Sequence, residues 1–186
     1  MPIYVTCVLE KDMTPALARG IQELQHAAFP HTSEFAHQRW WHTPLSPEEL
    51  WFVARRDGRL VGSVRLVLRR ITTVAGDYVV GGLANVCSHP DARGCGAAKA
   101  CALAAQEKIA HGGTMDFGLL FCAVRVRDFY AKLGWTVVTN DVIFGAPPSR
   151  HGYGVPALSG YAMIFPGRLA TADWPTGGID LNGQNW

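Results

Sequence analysis

Residues 86–110 limit the fold more tightly than any other stretch. Val86-Cys87-Ser88 ends an extended apolar run. The next eight residues, His89 to Gly96, are rich in backbone-permissive types, and Ala97 to Ala110 is Ala-rich with no Pro or Gly. That order predicts a strand, a glycine loop and a long helix. The first amides of such a helix lack intrahelical acceptors and carry partial positive charge. Gly94 and Gly96 let an anion approach the backbone closely. The segment therefore reads as a phosphate or pyrophosphate cradle; the plain alternative is a strand-to-helix turn. It is not a Walker loop, because G-x-x-x-x-G-K-[ST] is missing. The dinucleotide fingerprint would need a third glycine and an earlier strand–loop–helix start.

The flanking chain predicts an α/β order. Residues 3–9 read as a strand. Thr14-Pro15 opens a helix with apolar residues at Leu17, Ile21, Leu24 and Ala28, stopped by Pro30. Ser33-Glu34 opens a shorter helix carrying Phe35, Trp40 and Trp41, closed by Pro44. Strands follow at 51–56 and 60–68, joined by Asp57-Gly58, a hairpin signal. A turn at Ala75-Gly76-Asp77 leads into a strand at 78–88. After the long helix come a buried strand at 115–122, a helix at 125–133 closed by Gly134, and a strand at 135–144. A long loop at 145–160, a short strand at 160–165 and an irregular tail complete the chain. Strands alternating with helices argue for helices packed on a sheet.

Composition removes several classes of function. The formal charge is only +2 and the basic residues are scattered. The pairs Arg55-Arg56 and Arg69-Arg70 read as ordinary solvated positions, so no nucleic-acid partner is expected. No run approaches the roughly 18–20 apolar residues of a membrane span. The N-terminus reads as a strand, not a signal peptide, and a soluble cytoplasmic protein is expected. Cys7, Cys87, Cys95, Cys101 and Cys122 match no disulfide framework and no C-x-x-C pair. His37 and His42 are too loosely spaced to share one helix face as ligands, and no metal is expected. A cysteine nucleophile at Cys87 or Cys122 finds no histidine placed beside it. Both read as small buried residues in strands.

Two motifs carry a resemblance. His89-Pro90-Asp91-x-Arg93-Gly94-x-Gly96-x-Ala98 resembles the acyl-CoA loop of the GNAT superfamily of N-acyltransferases. Downstream, Phe129-Tyr130-x-Lys132-x-Gly134-Trp135 resembles the family's second signature. The resemblance implies a single domain over residues 1–186, with a core of about 3–165 and a tail at 166–186. It also implies a mixed, twisted sheet of about six to seven strands flanked by about four helices, with splayed strands holding acyl-CoA. The implied reaction moves acetyl from acetyl-CoA to the primary amine of a small molecule. Val86, Cys87, Ser88 and the loop Arg93, Gly94, Cys95, Gly96, Ala97 and Ala98 would bind the co-substrate. Backbone amides from Leu83 to Cys87 would meet the oxyanion. Tyr130 would protonate the leaving thiolate, since a phenol with an unperturbed pKa near ~10 keeps its proton at neutral pH.

The acceptor side stays open. Glu34, Trp40, Trp41, Leu83, Ala84, Phe121 and Trp186 are the candidate substrate-binding residues, with aromatic faces able to stack on sugars or attract cations. Asn85 is a candidate for positioning water or the amine. The base could be a water held by Asn85, a histidine such as His31 or His37, or the terminal carboxylate. The tail and its Trp residues are similar to those of aminoglycoside 2′-N-acetyltransferases and rhizobial nodulation N-acyltransferases, which acylate amino sugars. Two departures weaken that match. Ala84 stands where the former carry a glutamate, and Phe121-Cys122-Ala123 replaces their serine-rich strand end. Carboxylates for a polycation are few: Glu34, Asp173, Asp180 and the terminal carboxylate. An amino acid, a polyamine or a natural-product amine is the alternative acceptor, and a non-catalytic CoA-binding resistance protein is the alternative function. A homodimer is common in the family.

Overall fold

The computed structural model describes residues 2–30, 48–144, 151–154, 160–183 and 186. The chain forms two compact units, Met1–Leu66 with Asn85–Ala105, and Val67–Ala84 with Gln106–Trp186. Three elements have a stretch in each: β3 (Arg59–Thr73), β4 (Gly76–Ser88) and α2 (Ala97–His111).

The first unit also holds β1 (Tyr4–Leu9), α1 (Pro15–Ala28) and β2 (Leu50–Arg56). Thr14 caps α1 as its sequence requires, accepting the Leu17 amide at 3.2 Å, a contribution of about 1 kcal/mol. The 3.6-residue spacing turns Ile21 inward against Trp51 and Val53, with Met13, Leu17 and Leu60 around them. β1 pairs antiparallel with β2 from Tyr4↔Arg55 to Leu9↔Leu50. β2 pairs antiparallel with β3 across the Asp57-Gly58 turn, where both residues have positive φ. The buried ion pair Arg65–Glu49 (2.6 Å) sits beside Trp51, whose Nε1–H donates to Glu10.

The second unit adds β5 (Phe117–Ala123), α3 (Arg127–Ala131), β6 (Thr136–Val138), β7 (Asp141–Phe144), β8 (His151–Gly154), β9 (Gly160–Pro166) and β10 (Ile179–Asp180). Its sheet runs β6-β9-β5-β4-β3-β10-β7-β8. The β4–β5 and β10–β7 pairs are parallel, whereas β5–β9, β6–β9, β10–β3 and β7–β8 are antiparallel. Ile71, Val80, Phe117, Leu119, Ile164 and Ile179 lie in its core, each at most 1% exposed.

Several sequence expectations need correction. The expected α/β class with a mixed sheet is present; the described residues hold ten strands, more than the about six to seven expected, and three α-helices. The expected helix opening at Ser33-Glu34 lies outside the described residues. The helix expected at 125–133 is a 3-10 turn (Val124–Val126) followed by the short α3. It ends early because Leu133 N–H turns back to the Tyr130 carbonyl. The strand expected at 135–144 is two strands, broken where Asn140 is buried as a polar hub. The loop expected at 145–160 contains β8. The tail is not irregular throughout, since β10 pairs with β3 on one side and β7 on the other. No described helix is long and apolar enough to cross a membrane.

Candidate active site

β4 delivers the chain to the loop, and Gly62 lets the helix beyond it seat closely. A Cβ at Gly62 would lie 2.9 Å from Ala97 Cβ and 3.2 Å from the Cys87 carbonyl, so only glycine admits the start of α2 there. His89 N–H donates to the Val61 carbonyl, and Pro90–Ala92 form a 3-10 turn. The Arg93 and Cys95 amides close onto Pro90 and Ala92, and Ser88 Oγ accepts the Ala98 amide at 3.1 Å. Among the described residues the amides of Gly94, Gly96, Ala97 and Lys99 have no acceptor. Four donors are thus gathered at the positive end of a 15-residue helix. Gly94 and Gly96 have φ of 79° and 88°, and a Cβ at either would meet nothing within 4 Å. The surface above the amides is open, and the donor set suits the oxygens of a pyrophosphate.

Just upstream, Asn85 sits in β4 with φ 52°. Asn tolerates the left-handed region better than most side chains. Among the described residues the enclosed Asn85 Oδ1 meets no donor. Val86 is half-buried. Cys87 is buried against Ser63 Oγ at 3.4 Å, and burial raises its thiol pKa. Leu83 and Ala84, in the second unit, are also buried.

In the second unit, β4 and β5 pair only from Val80↔Phe117 to Leu83↔Leu120. β5 continues to Ala123, still bonded to β9. Tyr130 on α3 is 7% exposed, with its ring edge-on to Phe129 and Trp135. Burial, and next the nearby Cys122, push the Tyr130 phenol well above its ordinary value. Burial also raises Cys122, which donates to Met163 Sδ.

Trp186 lies on the other side of β5. Its ring tilts against Phe121, with centroids 5.7 Å apart, and the Arg69 guanidinium stacks 5.0 Å from it. It also covers Gly82, where a Cβ would collide with the indole. The sequence predicts a solvated Arg69; nothing local marks its pairing with a residue so far along the chain. Of the other candidates, Glu34, Trp40, Trp41, His31 and His37 lie outside the described residues.

The model of the acetyltransferase (GNAT) domain matches residues 11–138. The chain belongs to the GNAT acetyltransferase family. Solved structures agree on the fold. The GNAT family N-acetyltransferase YhbS of Escherichia coli, solved in complex with CoA, superposes with a TM-score of 0.65 at 17% identity, covering 97% of this chain and 91% of that one. Escherichia coli ElaA gives 0.64 at 13% identity, covering 88% and 99%. An acyl-CoA N-acyltransferase from Pseudomonas aeruginosa gives 0.58 at 16%, covering 88% and 99%. No curated protein matches significantly by sequence. This GNAT acetyltransferase is therefore an acyl-CoA-dependent acyltransferase, with acetyl-CoA or CoA as co-substrate. The raised thiol pKa values of Cys87 and Cys122 disfavour the thiolate that a cysteine nucleophile would need.

Proposed function

We propose that this GNAT acetyltransferase moves acetyl from acetyl-CoA directly to the primary amine of a small molecule. The amides of Gly94, Gly96, Ala97 and Lys99 hold the pyrophosphate, and Tyr130 protonates the departing sulfur. The observation that carries the reading is the set of four acceptor-free amides beneath two left-handed glycines. Asn85 Oδ1, which meets no donor among the described residues, is suited to hold the amine or a water beside it. An amide cannot take a proton at neutral pH, so Asn85 positions and does not serve as base.

A moderately charged amine or an amino sugar fits better than a polycationic aminoglycoside. Two of the few acidic candidates are engaged within the tail. Asp173 accepts the Ala170 amide at 3.0 Å, and Asp180 accepts the Asn182 amide at 2.8 Å.

Thiol release from acetyl-CoA over a panel of aminoglycosides, amino sugars, amino acids and polyamines tests the reaction. Turnover with uncharged-ring amino sugars above aminoglycosides is expected, and turnover with no amine refutes it. The loop is tested separately. Acetyl-CoA at 100 times its Kd should stabilise the fold by about 2.7 kcal/mol. Gly96→Val, which forces a branched side chain to φ 88°, should abolish that shift. An undiminished shift in the variant would show that the loop is not the binding element.

A further inference from the structure

We propose that Trp186 sets the acyl chain length this enzyme accepts, closing the acyl end of the site against chains longer than acetyl. The inference rests on the reading of Tyr130 as the acid at sulfur, and it names what lies beyond the thioester.

Neighbouring residues of a strand point to opposite faces. Cys122 lies near Tyr130 and marks the face of β5 where sulfur leaves. Phe121 marks the opposite face, and there it meets Trp186. The β4–β5 ladder ends at Leu83↔Leu120, immediately before these residues. A thioester with sulfur on the Tyr130 face and its carbonyl past the end of the ladder directs its acyl group toward Phe121 and Trp186.

That side is already filled to a fixed depth. Gly82 offers no side chain, and the indole occupies the space one would take; a Cβ there would overlap three atoms of the ring. Arg69 holds the ring from its other side and is itself packed on Gly183, where a Cβ would lie 3.4 Å from its Cζ. The wall is thus an indole ring set against Gly82, Phe121 and Arg69. Among the described residues the enclosed indole Nε1–H has no acceptor.

Each methylene that a rigid pocket refuses costs about 10–200-fold in kcat/KM. The test measures kcat/KM for acetyl-CoA and butanoyl-CoA with the best amine from the panel. The wild-type chain should prefer acetyl-CoA by about tenfold or more. Trp186→Ala should move the butanoyl-to-acetyl ratio up by at least about tenfold, and Trp186→Phe should keep most of the wild-type preference. A cooperatively melting Trp186→Ala that retains the wild-type ratio overturns the proposal. Should that variant not fold, Phe121→Ala widens the same space from β5 and should shift the ratio the same way; an unchanged ratio there overturns it equally. Failure of the underlying reading looks different: the wild-type chain then releases no thiol from any acyl-CoA with any amine. In that event the melting shifts given by acetyl-CoA and butanoyl-CoA still compare the two chain lengths, and equal shifts in wild type overturn the wall.

Discussion

Replacing Tyr130 with Phe is expected to lower kcat by about 10²–10⁴-fold, the usual contribution of a positioned general acid, while the Kd for acetyl-CoA stays within about threefold. The phenylalanine ring keeps the edge-on contacts with Phe129 and Trp135, so the loss is chemical rather than structural. Without the phenol, sulfur must leave as a bare thiolate from a buried site, which desolvation opposes. The signature is a substrate-dependent defect. Acyl donors with better leaving groups, such as acetyl thioesters of acidic aryl thiols, should lose far less than acetyl-CoA. A uniform loss across leaving groups, or none at all, would remove Tyr130 from the role.

The direction of the phenol's pKa gives a second readout. Burial and the nearby Cys122 raise it in the folded chain, whereas an unfolded tyrosine titrates near ~10. A raised folded pKa means that the native state keeps the proton longer. The stability this contributes is fully present below pH ~10 and is lost as pH rises through the folded value. Activity should therefore show no alkaline limb from Tyr130 between pH 7 and 10. Unfolding free energy should fall more steeply above pH ~10 in wild type than in Tyr130→Phe.

What the sequence disclosed follows from how local each signal is. The loop from His89 to Gly96 was readable because its geometry is set by its own residues: a proline opening a 3-10 turn, two glycines in left-handed conformations and an Ala-rich helix behind them. Thr14 and the Asp57-Gly58 turn were readable for the same reason. The tail was not. Two residues cannot display a period, so β10 is a strand only because Thr72–Thr73 and Val142–Ile143 flank it. The stacking of Arg69 on Trp186 joins positions far apart in the chain, and an Arg-Arg pair carries no sign of it. Asn140 was unreadable likewise. A polar residue inside an apolar stretch passes for part of one continuous strand until its partners from the tail are known.

Asn140 is where that hidden organisation can be tested. It is 8% exposed, donates to the Pro175 and Gly177 carbonyls at 3.0 and 2.7 Å, and accepts the Trp174 indole N–H at 2.8 Å. Trp174 in turn meets Phe117 edge-on, with centroids 4.9 Å apart. One side chain thus fastens the tail to the core of the second unit. Asn140→Ala strands the indole N–H, a loss of about 1–3 kcal/mol. The two carbonyls can turn to water, because a hollow of about 390 Å³ lies beside them, so each costs less. A total of about 3 kcal/mol would lower Tm by roughly 6–12 °C in a chain of this size, with Trp fluorescence shifting to the red as Trp174 loosens. Asn140→Asp separates hydrogen bonding from shape. It keeps the acceptor for Trp174 but turns a carboxylate toward two carbonyl oxygens. That contact favours the protonated acid and raises its folded pKa, so the variant should recover stability as pH falls toward ~4 and lose it as pH rises to 7. Equal melting of wild type and Asn140→Ala would mean that the tail is held by apolar burial at Ile179 and Leu181 alone. A loss in both variants, with acid rescue only in Asn140→Asp, would place the clamp in the hydrogen bonds themselves.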